Sequence, residues 1–393
     1  MTEDNSNAMI GVPPRILLGP GPSMVNTRVL QAMMQNMIGY LDPDYVDVLE
    51  QVAGLLSEVF QTKEAVTMAL SGTGSSGMEA GLSSILEPGD TAIVCIYGFF
   101  GERMVDMATR VGANVVALRS EWGAPFPEEM LEEALNENSN VKLVAAIHAE
   151  TSTGIRQPLE GLSRLTREHD ALFMVDAVTS LGGNNVAFDD WGIDYCYSAT
   201  QKCLGCPPGL SPVAVSQRAM ESIRSRETPP ASWYLDLNLN ANYWYDPKVY
   251  HHTSPVSMVL ALGEGLRVVL EEGLENRFAR HERNAEALRA GLEALGLEVV
   301  SPDGYRLAQV TPVWIPEGVD DAQVRAKLLS DYQIEIGKGL GAFDGRIWRF
   351  GLMGESSRPD YVLLALSAME SALPQAGYEV APGAAVSAAS RVL

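Results

Sequence analysis

Three residue settings in this chain carry reactive chemistry, and a fourth carries recognition. Lys202 lies in Ser198-Ala-Thr-Gln-Lys-Cys203, after an apolar run and before Gly205, Pro207, Pro208 and Gly209. A lysine held in a stiff, uncharged loop loses solvation, so its amine can act first as nucleophile and then as base. The chain has only six lysines, and Lys63, Lys142 and Lys327 stand beside polar helix ends or in mid-helix, where a solvated face is expected. Lys338, within Gly337-Lys-Gly339, is the second choice. Asp176 ends the apolar run Ala171–Asp176, which sets a carboxylate at the carboxyl edge of a buried strand, where ligands of open α/β sheets gather. It could hold a protonated ring nitrogen, ligate a metal or cap the next helix. Ser71-Gly-Thr-Gly-Ser75 reads as a turn between strand and helix whose free N–H groups and hydroxyls suit a phosphate. It matches neither the Walker A nor the dinucleotide pattern. Arg349, in Ile347-Trp-Arg-Phe-Gly351, is a charge among apolar neighbours that needs a carboxylate, from the protein or from a substrate.

Other candidates are weaker. Cys203 and Cys206 have CxxC spacing without a second ligand pair, so they read as small buried residues in a tight loop. His251 and His252 are adjacent, so their rings are expected to point apart and not to share a metal. No GxSxG elbow is present, and no metal site is expected.

The elements that must position these residues follow from hydrophobic period. Apolar runs at 64–70, 91–96, 115–118, 141–148, 171–176, 195–199 and 212–216 read as strands, with helical spacing at 44–60, 101–112, 128–137 and 160–169. Near-continuous apolar strands between amphipathic helices predict an α/β fold with a mainly parallel sheet covered on both faces. From about 255 a long helix, then strands at 299–300, 309–315 and 346–352 with helices at 320–331 and 359–373, predict a smaller α+β unit. The expected division is an N-terminal arm (1–20), a large domain (21–255), a small domain (256–376) and an Ala/Gly/Ser-rich tail (377–393) that is loose or lies on the surface.

Composition narrows the function. At 393 residues the chain suits two domains. A net charge of −22 and the lack of a basic run argue against nucleic acid. No apolar run approaches membrane-spanning length. Met1–Asn7 is polar and acidic, unlike a secretory signal, the last three residues do not match the common peroxisomal tripeptide, and four cysteines are few, so a cytoplasmic protein is expected.

The ordered motifs identify a family resemblance. Leu18-Gly-Pro-Gly-Pro-Ser23, Ser71-Gly-Thr-Gly74, Leu86-Glu-Pro-Gly-Asp90, Glu150-Thr-Ser-Thr-Gly154, Val175-Asp-Ala-Val178, Thr200-Gln-Lys202, Tyr250-His-His-Thr253 and Arg349-Phe-Gly351 resemble the class V, fold-type I pyridoxal-phosphate (PLP) aminotransferases. The likeness is to the alanine–glyoxylate and serine–pyruvate type. It implies that Lys202 carries PLP as a Schiff base, Asp176 binds the pyridine nitrogen, and Thr73, Gly74, Ser75 and Gln201 surround the phosphate. Thr151 would contact the ring hydroxyl region. Phe100 takes the place of a stacking tryptophan. Tyr250 and Thr253 would reach the cofactor of a second subunit, implying a homodimer with shared sites. Arg349 would take the substrate carboxylate, with Tyr40 and Gly21 on the substrate side. The resemblance also extends to the ureidoglycine–glyoxylate branch, which carries Gln and Asn where this chain has Tyr40 and Tyr250, and then to the pyridoxamine–pyruvate branch. A lyase such as a cysteine desulfurase would want a mobile cysteine in the later domain, and all four cysteines precede residue 207.

Overall fold

The computed structural model describes residues 11–393. The expectation for Met1–Asn7 lies outside them. A seven-stranded sheet forms the centre of the larger unit: β1 (Val66–Ser71), β2 (Thr91–Ile96), β3 (Asn114–Arg119), β4 (Val141–Ile147), β5 (Leu172–Asp176), β6 (Tyr195–Tyr197) and β7 (Leu210–Val215). Their order is β1-β7-β6-β5-β4-β2-β3, and β7 alone runs against its neighbours. The central strands are buried on both faces, which is why their sequences are continuously apolar and do not alternate.

The reversal of β7 was not foreseen, and it has a consequence for the site. The chain turns back from β6 into β7 through the loop 198–209 without crossing to the other end of the sheet, which keeps Lys202 at the edge where β1, β4, β5 and β6 end. Register places Ile147 beside Asp176, and Asp176 beside Tyr197.

Flanking helices are set by local signals. The helix Pro43–Phe60 starts with Asp42 accepting from the Asp44 amide at 3.0 Å and proline in its first turn. It buries Leu49, Val52, Leu56 and Val59 against the sheet. The helix Val256–Glu272, grouped by sequence with the later unit, buries Val259, Leu262, Leu266 and Val269 in this same larger core.

The second core is built on a three-stranded antiparallel sheet, β8 (Val310–Trp314), β9 (Gly337–Lys338) and β10 (Ile347–Gly351), in the order β8-β10-β9. The expected strand at 299–300 is reduced to a single bridge, Val299 to Val313. Ile16–Leu17 pairs in parallel with Ile334–Glu335, and Leu18 is buried in this core, so the described arm is part of the second unit's packing. The tail is not loose. Ala384–Ser390 is a helix whose Ala385 and Ala389 are buried on the second core, with Glu370 accepting from the Gly383 and Ala385 amides. Of the two alternatives for this tail, loose or lying on the surface, the helix takes the second, its small residues packing on the second core.

Candidate active site

The cleft lies at the strand ends of the larger unit. Thr73, Gly74, Ser75, Phe100, Arg103, Thr151, Asp176, Tyr197, Gln201 and Lys202 all line it.

The Lys202 amine donates to the Pro20 carbonyl. No carboxylate lies within 4.0 Å of it among the described residues, whereas Lys248, Lys327 and Lys338 are each ion-paired. Enclosure, helped by the nearby Arg349 charge, lowers its pKa to about 8. Gly21 sits against this amine: a Cβ there would lie 2.5 Å from Nζ, and its φ of +116° already favours glycine. Ser23 fixes the loop from below, its hydroxyl donating to the Lys202 carbonyl at 2.8 Å. Lys338, the second choice, is half exposed and bound to Asp344.

Asp176 is 4% exposed and faces the same cleft. It accepts from the Val178 amide at 2.8 Å and the Tyr197 hydroxyl at 2.5 Å. Burial raises its pKa to about 6, opposed by those two donors and by Lys202. A cation brought against it restores full ionisation at neutral pH.

The turn 71–75 leads into a helix start that faces the cleft. Thr73 is the N-cap of the helix Gly74–Ile85, yet its hydroxyl caps no amide, so the helix start faces the cleft with free donors. Arg103 adds a cation: its Nη1 donates to Ser75 Oγ at 3.2 Å, and its guanidinium lies 4.8 Å from the Phe100 ring centre. The amide oxygen of Gln201 is buried there without a partner.

Arg349 stands behind Thr151, outside the immediate lining. It donates from Nε to the Lys338 carbonyl at 2.7 Å and from Nη1 to the Thr151 carbonyl at 3.1 Å. It is 5% exposed, and no carboxylate lies within ion-pair distance among the described residues. Burial pulls its pKa down to about 10, with Glu150 opposing. It remains a cation at neutral pH.

Tyr40, Tyr250 and Thr253 do not line the cleft of their own chain. Tyr250 and Thr253 are exposed, and the Tyr40 and Tyr250 rings pack 5.3 Å apart. The expectation that His251 and His252 point apart fails. Residues 249–253 are irregular, without strand alternation, and the two Nδ1 atoms meet at 2.7 Å. His252 Nε2 lies 2.7 Å from Ser71 Oγ, and His251 Nε2 lies 3.1 Å from the Trp233 carbonyl. A carbonyl only accepts, so with both rings neutral the protons run from Ser71 to His252 to His251 to Trp233. Cys203 and Cys206 are buried free thiols, pushed up to about 11 and about 12 by burial, which suits packing and not redox chemistry. Among the described residues no cluster of His, Cys, Asp or Glu could hold a metal ion, and no helix is long and apolar enough to cross a membrane.

Arg103, Tyr197 and Glu150 were missed as site residues. Glu150 and Tyr197 had a legible signal, because each continues or ends an apolar strand at the edge that also presents Asp176. Arg103 had none beyond its place one helical turn after Phe99.

The family model for aminotransferase class-V matches residues 16–343. The (S)-ureidoglycine–glyoxylate transaminase of Bacillus subtilis is 39% identical over 96% of this chain and 95% of its own length. A crystal structure of the ureidoglycine–glyoxylate aminotransferase from that organism superposes with a TM-score of 0.95 at 40% identity, covering 98% of this chain and 99% of the other. A crystal structure of alanine–glyoxylate aminotransferase from Nostoc sp. gives a TM-score of 0.91 at 45% identity, covering 95% and 99%. A match this long, on a fold and a cleft that both agree with it, establishes that the chain belongs to the class-V aminotransferases.

Proposed function

We propose that the protein is a PLP-dependent aminotransferase that passes the amino group of a small amino acid, alanine or serine, to glyoxylate or pyruvate in two half-reactions. The observation that carries this reading is the joint placement of an enclosed, unpaired Lys202 amine, the buried Asp176 carboxylate and an anion cup in one cleft.

The residues present fit the cofactor. The Thr73 hydroxyl and the amides of the helix start are free, Arg103 supplies a cation, and the Gln201 amide can turn to offer its NH2 to a phosphate. Asp176 would hold the ring nitrogen as a cation, and Phe100 offers a stacking face with less area than an indole. When bound, PLP supplies a carbonyl for the incoming amine and a ring that takes up the electron pair left by proton loss. Lys202 would hold the cofactor through Nζ, and its free amine would take the donor's α-proton. A pKa near 8 leaves that amine partly neutral at working pH. Asp176, held as a carboxylate by an adjacent cation, would keep a ring nitrogen protonated. Arg349 orients the donor by its carboxylate, with the guanidinium held still by two carbonyls.

A homodimer with shared sites is supported by surface chemistry. Tyr250 and Thr253 are exposed, Tyr250 packs on Tyr40, and Met37, Leu41, Trp233 and Val249 are also exposed. The four free cysteines support a cytoplasmic enzyme.

A second reading, ureidoglycine as donor, is favoured by the likeness to the Bacillus subtilis enzyme. Against it, Tyr40 and Tyr250 form an aromatic pair where that branch has amides, which leaves fewer hydrogen bonds for a ureido group. The test is a half-reaction screen. Alanine, serine and ureidoglycine are added singly to the PLP form, and loss of its visible band to the pyridoxamine spectrum is recorded. Conversion by alanine or serine supports the reading. Conversion by ureidoglycine alone selects the second, and no conversion by any donor removes both.

A further inference from the structure

The helix Phe99–Val111 carries Phe100 and Arg103 into the cleft, yet it begins without a cap of its own. Its N-cap is Gly98, which has no side chain to offer. The first two amides are taken by another segment. Phe99 N donates to Ser152 Oγ at 2.9 Å, and Phe100 N donates to Glu150 Oε2 at 3.3 Å. Glu150 in turn holds Ser152 twice, its Oε1 accepting from the Ser152 amide at 2.9 Å and hydroxyl at 2.7 Å.

Glu150 is fully buried, and among the described residues it makes no ion pair. A buried carboxylate without a cationic partner is costly unless N–H groups and a helix dipole compensate it. The start of this helix supplies both. Gly98 is what admits it: a Cβ there would lie 2.3 Å from Glu150 Cγ, so any larger residue pushes the carboxylate off the amides. Between Glu150 and Ser152 stands Thr151, which lines the cleft and whose carbonyl accepts from Arg349. One side chain thus joins the wall bearing the aromatic face to the segment that steadies the arginine.

We propose that Glu150 is a positioning residue: its carboxylate caps the helix Phe99–Val111 and thereby fixes the Phe100 ring and the Arg103 guanidinium against the cofactor. This rests on the reading of the cleft as a PLP site. Glu150 touches no reacting atom. It acts through Phe100 and Arg103, and a loss of the cap leaves the catalytic amine and Asp176 in place while the ring above them loosens.

The experiment is a double-mutant cycle on the holoenzyme, with Glu150→Gln and Phe100→Ala alone and together. The dissociation constant for PLP and the visible-region circular dichroism of the bound cofactor are measured. A helix cap is worth about a tenfold change in an equilibrium, so Glu150→Gln should weaken PLP binding about five- to tenfold and reduce the dichroic band. In the Phe100→Ala background the further effect should fall below about twofold, because the residue it acts through is gone. Fully additive effects, or an unchanged dissociation constant and band in Glu150→Gln, overturn the proposal. Ser152→Ala, which removes the hydroxyl's links to Phe99 and Glu150 but leaves the Glu150–Phe100 contact, gives the same pattern at smaller size if Glu150→Gln does not fold. A readout independent of the cofactor is amide hydrogen exchange over 99–103 in cofactor-free protein, expected about tenfold faster in Ser152→Ala or Glu150→Gln. Unchanged exchange contradicts the cap itself. A wild-type protein that takes up no PLP contradicts the proposed function instead, while the exchange result still reports on the cap.

Discussion

Replacing Arg349 by lysine keeps the charge and removes the fork, and the outcome can be worked from the geometry. The guanidinium spends Nε on the Lys338 carbonyl and Nη1 on the Thr151 carbonyl, which leaves its remaining donors for a ligand. An ammonium offers three donors from one point and cannot reach both carbonyls and a carboxylate. Hydrogen bonds from charged groups contribute about 1.5–3 kcal/mol each, so losing two and regaining part of one costs about 3 kcal/mol. At 1.4 kcal/mol per decade this is about a 100-fold fall in kcat/KM for alanine. The control is an amine of similar size without the carboxylate, such as ethylamine, whose slow half-reaction should change by less than about threefold. Equal losses for both amines would mean that Arg349 only supports the fold. A loss for alanine below about threefold would mean that the substrate carboxylate is held elsewhere.

Gly21→Ala, strained at φ +116°, should reduce PLP trapped on the lysine by borohydride at least about tenfold, since the new Cβ occupies the place of the amine, with far-ultraviolet circular dichroism as the check on the fold; undiminished trapping would refute that placement. Asp176→Asn should lower kcat about 10²- to 10³-fold, the range for removing one partner of a buried charge pair, as read by single-turnover absorbance; a fall under about tenfold would show that the ring nitrogen is not held there. In cofactor-free protein the Lys202 pKa is lowered to about 8 from 10.5, so the fold disfavours the ammonium. That penalty is complete below about pH 8 and disappears as pH rises through 10.5. Lys202→Met should therefore be more stable than wild type to urea at pH 7, with the gap closing towards pH 10; a gap independent of pH contradicts the enclosure of the amine. Mixing Lys202→Ala chains with chains carrying Tyr250→Ala and Thr253→Ala should restore roughly a quarter of the activity through hybrid dimers, and no restoration means the sites are not shared.

How much of this was legible in the sequence depended on whether a residue's neighbours are local. The strands ending in Ser71 and Asp176 were readable because burial on both faces makes them continuously apolar and a polar residue then marks the edge. The family motifs carried the rest of the cleft. The antiparallel sense of β7 was not readable, because an apolar run looks the same in either direction. Glu150 lay within a quoted motif, yet its role depends on amides about fifty residues away. The His251–His252 contact is not legible from adjacency in the chain, because the irregular backbone there lets neighbouring rings meet. The alanine-rich tail was read by composition alone, while its burial comes from fitting closely against a distant helix.

The central claim is that Lys202 carries the cofactor. Borohydride reduction of the purified holoenzyme, followed by proteolysis and mass spectrometry, tests it most directly. The account predicts a pyridoxyl-phosphate adduct on the peptide containing Lys202, with the visible band lost in Lys202→Ala. An adduct on Lys338 or any other lysine, or an unchanged spectrum in Lys202→Ala, would contradict it.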